Sequence, residues 1–490
     1  MSPELDLIVV GGGAAGVTAT RRARALGLKT LLLDEQATPG GNAYRNIDHN
    51  SGSEPRLTAA LGAAYLAGRD VIGECSGTNA DNWSNVQVWH LDQSGMVGIL
   101  RDGRAEFLQA RRVLVATGAM ERPVPIPGWT LPGVMTVGAC QTLLKSSALV
   151  PTAPTLMAGR GPLLLLTACQ LLALGVPVRA VVMSTPWWQY LAAGLRELPA
   201  AVRMSRSLAE GLGWLARLRR GGIPVYDGAE SLSVIGSDQA TGLEFRTGRR
   251  LHRLDGNLIL LHEGIVPDTS LTMASDCDQE WDEQQLCWRP KTDPWGRTSA
   301  ATIFVAGDGA RILGAAAAPL SAALAALAIA CDLGRISTQE RDRRARPLRT
   351  ELARHQRFRR FLDALYPPPR TIRGGIADST IICRCEGVTA GDLRQVIRLG
   401  CLGPNQAKSF TRCGMGPCQG RMCGLAVTEI FASECNREPQ AVGYFRIRPP
   451  VKPLTLEQFA GAAPMSDAPL SRDMVMLAAN GNSSRLMTSE

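Results

Sequence analysis

The chain has 490 residues, room for about three domains of ~150 residues each, and its 45% hydrophobic and 20% charged residues describe a soluble globular protein. Only 5% of residues are aromatic while 51 are glycine, which favours close backbone packing and nucleotide loops over an aromatic-rich binder. The net charge is +9, yet no nucleic-acid-binding motif accompanies it, so nucleic acid is not an expected partner.

The first apolar run, Leu7 to Val10, is short and follows acidic Asp6. A secretion signal needs basic residues and a longer run. The expected location is the cytoplasm, with reduced thiols; a peripheral position at the inner membrane is the alternative. This run reads as a buried strand. Gly11, Gly13 and Gly16 then spell G-x-G-x-x-G before a helix that opens at Ala14 and Ala15 and stops near Gly27. Gly11 permits the tight turn, Gly13 lets backbone approach a pyrophosphate, and Gly16 permits close helix–strand packing. The helix N-terminus offers free N–H groups to phosphate. A second strand, Leu31 to Leu33, ends at Asp34, whose carboxylate can bind ribose hydroxyls, with Glu35 as the alternative.

Three further segments select FAD over NAD. PGGNAYR (39–45) supplies Gly40, Gly41, Asn42 and Arg45 after the acid, as in flavoproteins where this loop passes near the flavin. VLVATGAMERP (113–123), with Ala116, Thr117 and Gly118, resembles the ATG strand-turn of two-domain flavin reductases. VAGDG (305–309) resembles their second FAD motif, which implies that Gly307 and Asp308 approach the ribityl chain.

Residues 155–183 repeat the strand–turn–helix–strand pattern. Gly159 and Gly161 open the turn, but Pro162 follows, Leu164 replaces the third glycine, and Ser184 stands where an acid would end the next strand. The fold is retained, while the fingerprint argues against NAD(P)H. An adenine nucleotide or an empty site are the alternatives. Further on, 312–331 is an uncharged stretch of 20 residues; its many alanines predict a buried helix rather than a membrane span. Between Arg341 and Arg360 lie nine arginines, read as a solvated linker helix, with an acidic partner or an anionic membrane surface as the other use.

Near the C-terminus come four clustered cysteines. Cys383 and Cys385 lie in IICRCEGVT, Cys418 and Cys423 in GMGPCQGRMCG; one residue separates the first pair, four the second, and 32 lie between the pairs. Such spacing without a secretion signal reads as metal ligation, and four thiolates can hold a 2Fe–2S cluster. A structural zinc site is the alternative. Cys413 competes with the later pair as a ligand. Cys383 and Cys385 are placed on an extended segment before a helix from Ala390 to Leu399, and Cys418 is expected to start a second helix. The remaining cysteines read as packing residues. No histidine sits in a nucleophile or metal motif. His262 reads as a satisfied turn histidine, and no acid–base catalyst is expected.

These readings give an α/β protein with two Rossmann-like dinucleotide-binding domains, of the glutathione-reductase-like flavoprotein type, plus a small C-terminal helical iron–sulfur domain. Residues 1–150 and 285–335 form the FAD-binding domain and 151–284 the second nucleotide-binding-like domain. Residues 336–372 are an Arg-rich helical linker and 373–436 a 2Fe–2S domain similar to bacterioferritin-associated ferredoxin. A tail spans 437–490, its end from about Ala462 expected to be mobile.

As a set, LLLDEQATPGGNAYR, ATGAMERPVPIPGWTLPGVMT, AGRGPLLLL, LLHEGIVPDT, CWRPKTDPWGRTS and CRCEGVT…GMGPCQGRMC resemble the α (A) subunits of heteromeric bacterial amine and imino-acid dehydrogenases. That family includes the A subunit of opine oxidase, the α subunit of D-hydroxyproline dehydrogenase and the B subunit of hydrogen cyanide synthase. The resemblance implies a smaller catalytic flavoprotein subunit, related to D-amino-acid oxidases, that oxidises the substrate's C–N bond. This chain would then relay electrons through FAD and iron–sulfur to an acceptor such as a quinone. A small ferredoxin-like third subunit, and an FMN at a subunit contact, are further implications, the latter with no residue assigned. The competing reading is a self-contained NAD(P)H-dependent FAD reductase. It needs a C-x-x-C pair near the flavin or a competent second fingerprint, and residues 1–335 hold no such pair. A nonredox scaffold is the third reading, opposed by the intact fingerprint and the four thiols.

Overall fold

The computed structural model describes residues 5–73, 81–186, 188–190 and 205–461. The reading of the extreme tail falls outside them. Among the described residues, the first sheet has seven strands. Their order is Asn82–Trp83, Thr30–Leu33, Leu5–Val10, Arg104–Val115, Met96–Arg101 and Gln87–Leu91, with Ile303–Val305 also joined to Arg104–Val115. Leu5–Val10 pairs in parallel with Thr30–Leu33 and with Arg104–Val115. These strands are buried on both faces, which is why Leu7 to Val10 and Leu31 to Leu33 read as continuous apolar runs.

The helix Ala14–Ala25 crosses one face of this sheet, and Gly27, at φ +78°, ends it in the left-handed region. Against it lies Ala318–Asp332, built from the uncharged stretch. Its alanines let the two helices close on each other, and Ala322, Ala325, Ala326, Ala328 and Ala330 are fully buried. No helix among the described residues is long and apolar enough to cross a membrane.

The second sheet has the strand order Val225–Tyr226, Val178–Met183, Thr155–Gly159, Leu258–His262, Val134–Thr136. It therefore begins at Val134 rather than at residue 151, because Val134–Thr136 pairs with Leu258–His262 and feeds the helix Val137–Ser147. After His262 the chain returns to the first unit, where Ile265–Pro267 pairs with Ala119–Glu121.

The arginine-rich segment forms a 28-residue helix, Thr338–Leu365, capped by Ser337, whose hydroxyl accepts from Glu340 N–H. It is more than a solvated rod. Arg341 and Arg349 both stack on Trp295, with Cζ at 4.3 and 4.2 Å from the ring centroid.

The C-terminal unit contains the hairpin Ile381–Cys383/Val388–Thr389 and the helices Ala390–Arg398, Pro404–Thr411 and Gly424–Glu434. Thr389 and Asp392 close a capping box on the first of these. Cys418 does not start a helix as expected. It lies in a run of turns, because Gln419 and Gly420 adopt φ +49° and +84°, and Cys423 is instead the N-cap of Gly424–Glu434. One apolar cluster joins this unit to the first sheet, running from Ile8, Val10 and Val115 through Trp281 and Trp288 to Cys383, Leu393, Cys423 and Phe431.

Candidate functional site: a flavin cradle and a thiol nest

Four chain segments converge at the end of the first sheet. Gly11 (φ +104°) lies so close to the Ala116 carbonyl that a Cβ there would stand 2.6 Å from its oxygen. A Cβ on Gly16 would stand 1.8 Å from the Gly11 oxygen. The loop 39–45 is held on this turn by the bond from Gly40 N–H to Gly12 O, 2.8 Å, and Gly41 touches Gly13. Gly307 packs on Ala15, and Gly309 lies against Gly118 O. The predicted cofactor residues from all four segments are thus brought together.

Asp34 is buried in this cradle. Its Oδ1 accepts from Gln36 N–H at 3.2 Å, while Oδ2 lies beside the Gly12 backbone, which favours its charged form, and makes no well-aligned hydrogen bond among the described residues. Burial pushes its carboxyl up to about 6. An orphaned buried oxygen at this position fits a dinucleotide whose ribose hydroxyls would donate to it. Glu35 points elsewhere and pairs with Lys452 at 2.7 Å. Asn42 Oδ1 accepts from Arg45 at 3.0 Å, and Arg45 also bonds Gln36. Asp308 Oδ1 accepts from Leu313 and Gly314 N–H, each at 2.8 Å, so this side chain first fixes the segment after the GDG turn.

Sequence reasoning missed Lys145. Its ammonium is buried beneath the 39–45 loop, donating to Asn42 O and Ala43 O at 3.0 Å and to Gln141 Oε1 at 2.9 Å. Desolvation, then Arg45, brings its pKa down to about 8.

The second glycine turn is filled by its own arginine. Arg160, between Gly159 and Gly161, folds back onto Ser184 and Glu263. Its Nε lies 2.8 Å from Glu263 Oε2 and 3.0 Å from Ser184 Oγ, and its Nη2 lies 3.0 Å from Ser184 O. Its Nη1 bonds the Pro367 carbonyl of the linker. Ser184 Oγ donates to Glu263 Oε1 at 2.8 Å. Next to this pair, His262 Nδ1 meets Glu121 Oε1 at 2.6 Å, so the histidine is satisfied by a structural carboxylate. Arg160 and Glu263 were invisible as partners because they are far apart in the chain. The available signal was charge at the buried ends of two apolar strands, in GRG and HEG.

The thiols form a nest. Cys383, Cys413 and Cys423 are buried, with their sulfurs all within 4.8 Å of one another. Cys385 Sγ lies 3.7 Å from Cys418 Sγ at the more exposed edge. Two of the four predicted ligands, Cys383 and Cys423, share this trio with Cys413, while the other two, Cys385 and Cys418, pair beside it. Hydrogen bonds from Cys413 and Cys423, helped by the Gly414 and Glu386 backbone, hold Cys383 well below the usual thiol range, while Cys413 and Cys423 are pushed up by sharing that charge. A group of sulfurs that stabilises thiolate is a soft metal site. Glycines make room for the side chains around it. A Cβ on Gly416 would sit 2.2 Å from Cys385 Cβ, and one on Gly424 would sit 2.2 Å from the Tyr444 hydroxyl. The donor set fits either a 2Fe–2S cluster or zinc.

Similarity to known proteins matches this architecture. The pyridine nucleotide-disulphide oxidoreductase profile covers residues 5–328, and that of the sarcosine oxidase A3 domain covers 377–462. The A subunit of opine oxidase from Agrobacterium tumefaciens (strain Ach5) is 41% identical over 94% of this chain and 92% of its own length. Hydrogen cyanide synthase subunit HcnB of Pseudomonas aeruginosa is 32% identical over 92% of this chain and 97% of its own. Among solved structures, L-proline dehydrogenase from P. horikoshii superposes with a TM-score of 0.66 at 16% identity, over 93% of this chain and 79% of that one, a likeness of fold. The chain belongs to the pyridine nucleotide-disulphide oxidoreductase family, in the group of FAD-dependent oxidoreductase subunits that includes the A subunit of opine oxidase and hydrogen cyanide synthase subunit HcnB.

Proposed function

We propose that this chain is the electron-relay subunit of a heteromeric oxidase or dehydrogenase. Its FAD receives electrons from a smaller catalytic flavoprotein subunit, related to D-amino-acid oxidases, that oxidises the C–N bond of an opine, hydroxyproline or a related amino acid. A 2Fe–2S cluster held by Cys383, Cys385, Cys418 and Cys423 then passes them to an acceptor such as a quinone. A small ferredoxin-like third subunit, and separately an FMN at a subunit contact, are further parts of the proposed assembly. The observation that carries this reading is the thiol nest packed on the same apolar cluster as the flavin-domain strands.

FAD supplies the redox chemistry when bound, and this chain's residues position it. Gly11 and Gly16 close the turn at which Gly13 would admit its pyrophosphate, Asp34 Oδ2 would accept from its ribose, and the 39–45 loop, pinned by Lys145, would line its flavin end. Gly416 keeps room for the Cys385 thiolate. The rival NAD(P)H reductase reading is disfavoured by Arg160, whose buried guanidinium is spent on Ser184, Glu263 and Pro367 instead of facing a cofactor. An adenine nucleotide in the second domain would have to displace this arginine from the turn.

The test is purification with co-expressed neighbours, followed by visible spectroscopy, iron and acid-labile sulfide analysis, and dye-coupled assays with opines, hydroxyproline and glycine. Flavin plus sulfide-linked iron, with amine oxidation only in the complex, is expected. Zinc in the nest, flavin bleached by NADH, or amine oxidation by this chain alone would overturn the proposal.

A further inference from the structure

The linker helix borders a cavity that the relay reading does not use. Ala353, Gln356, Arg357 and Arg360 occupy i, i+3, i+4 and i+7 positions, one stripe of Thr338–Leu365. That stripe faces Arg311 and Leu313, in the segment just after the GDG turn, across a space of about 170 Å³. A water needs only about 10–15 Å³ of such space, so several water-sized groups fit. Ala353 is the small residue that leaves the space.

The charge lining this space is unbalanced. Arg311, Arg357, Arg359 and Arg360 contribute four guanidiniums. Asp363 pairs with Arg359, which Asp308 also faces, and Asp282, shared with Arg289, sits 3.2 Å from Arg311 Nη2, which also bonds Gln284 Oε1. Arg357, whose Nε donates to Ala353 O, and Arg360 have no ion pair among the described residues. Arg311 Nε is buried and has no hydrogen-bond partner among the described residues. A buried donor without an acceptor is costly, and guanidinium forks match oxyanions bidentately.

We propose that this cleft is a binding site for a dianionic oxyanion, the phosphate of a phosphomonoester or a dicarboxylate, clasped by Arg311, Arg357 and Arg360. Leu313 and Gly314 hold Asp308, so an occupant would lie one loop from the flavin cradle. The anion site stands whether or not the thiols hold iron.

The test is calorimetric titration of the FAD-loaded full chain at low salt with inorganic phosphate and, separately, succinate. Saturable single-site binding of at least one is expected, and the stronger of the two identifies the source of the oxyanion. Arg357→Gln and Arg360→Gln should each weaken it about tenfold, the loss of one charge-assisted contact. Arg354→Gln, whose arginine pairs with Glu351 outside the cleft, should leave it unchanged. The flavin spectrum verifies folding of each variant. Absence of saturable binding by both anions, or equal weakening by Arg354→Gln, would overturn the proposal.

Discussion

Replacing Arg160 by methionine is the sharpest test of how the second domain is built. The Arg160 and Glu263 side chains are 5% and 1% exposed, with Nε 2.8 Å from Oε2. The substitution leaves Glu263 buried with only the Ser184 hydroxyl as a hydrogen-bond partner, and with the Arg122 and His262 charges acting without a direct bond. Stranding one member of a buried pair costs about 3–5 kcal/mol, a large part of the ~5–15 kcal/mol that holds a domain. At ~2–4 °C per kcal/mol for a unit of this size, the midpoint for the second domain should fall by about 10 °C. The deficit should shrink with falling pH. Burial already raises the Glu263 carboxyl, Arg160 opposes that shift, and without Arg160 the raised value climbs further. The penalty is therefore full above the folded pKa and vanishes below the unfolded one, ~4.3. The double variant Arg160→Met/Glu263→Gln should recover most of the loss, because neither charge is then stranded. Circular dichroism melts of all variants between pH 4.5 and 8 supply the cycle. A loss under ~1 kcal/mol for the single variant, or no recovery in the double, would refute the argument that this turn is closed by a buried ion pair.

Gly416→Ala would place a methyl 2.2 Å from Cys385 Cβ and 3.0 Å from its sulfur; metal analysis should show most of the bound metal lost. Gly403→Ala, where the added methyl meets only Val442 O at 3.5 Å, should retain it. FAD affinity should weaken as pH falls through about 6, because burial raises Asp34 to that value and ribose needs the carboxylate as acceptor. The decline can reach tenfold per pH unit, and Asp34→Asn should abolish the pH dependence in a flavin fluorescence titration. Lys145→Met removes two bonds to the 39–45 loop carbonyls; a loss of about 1–3 kcal/mol in the melt and faster FAD release are expected. Unchanged release would show that the loop holds itself.

Local physics made much of this molecule legible. Gly11, Gly13, Gly16 and Asp34 announce their roles because a tight turn, a close approach and a strand end are set within a few residues. The cysteine spacing announced the nest for the same reason. What escaped was set by distance along the chain. Ser184 and Glu263 are 79 residues apart, and Arg160 and Pro367 are 207 apart. No pattern in either neighbourhood reports that meeting. Cys418 was placed on a helix because glycine turns and helix starts share residue types, whereas the left-handed Gln419 and Gly420 postpone the helix until Cys423. The arginine run looked solvated in sequence. Its two stacks on Trp295 and its stripe over the cleft depend on what the helix lies against.

A relay works only if donor and acceptor stay at a fixed short separation, since tunnelling falls steeply with distance. If the proposed relay is right, the fold would meet that demand by giving the flavin-domain strands and the thiol nest one apolar cluster instead of two tethered ones. Polar ties cross the same boundary. Trp129 Nε1 donates to Ile381 O at 2.7 Å, Trp281 N–H donates to Gln440 at 2.6 Å, and Val451 N–H donates to Trp89 O at 2.9 Å. Arg373 bonds Glu429, whose carboxyl also feels the buried Arg122 of the flavin side. Close-packed interiors resist sliding, so the nest cannot swing away from the first sheet without opening this cluster. The buried Arg160 pair applies the same restraint to the second domain, through Pro367. On the proposed relay reading, any exchange with partner subunits would fall to surfaces outside this shared cluster.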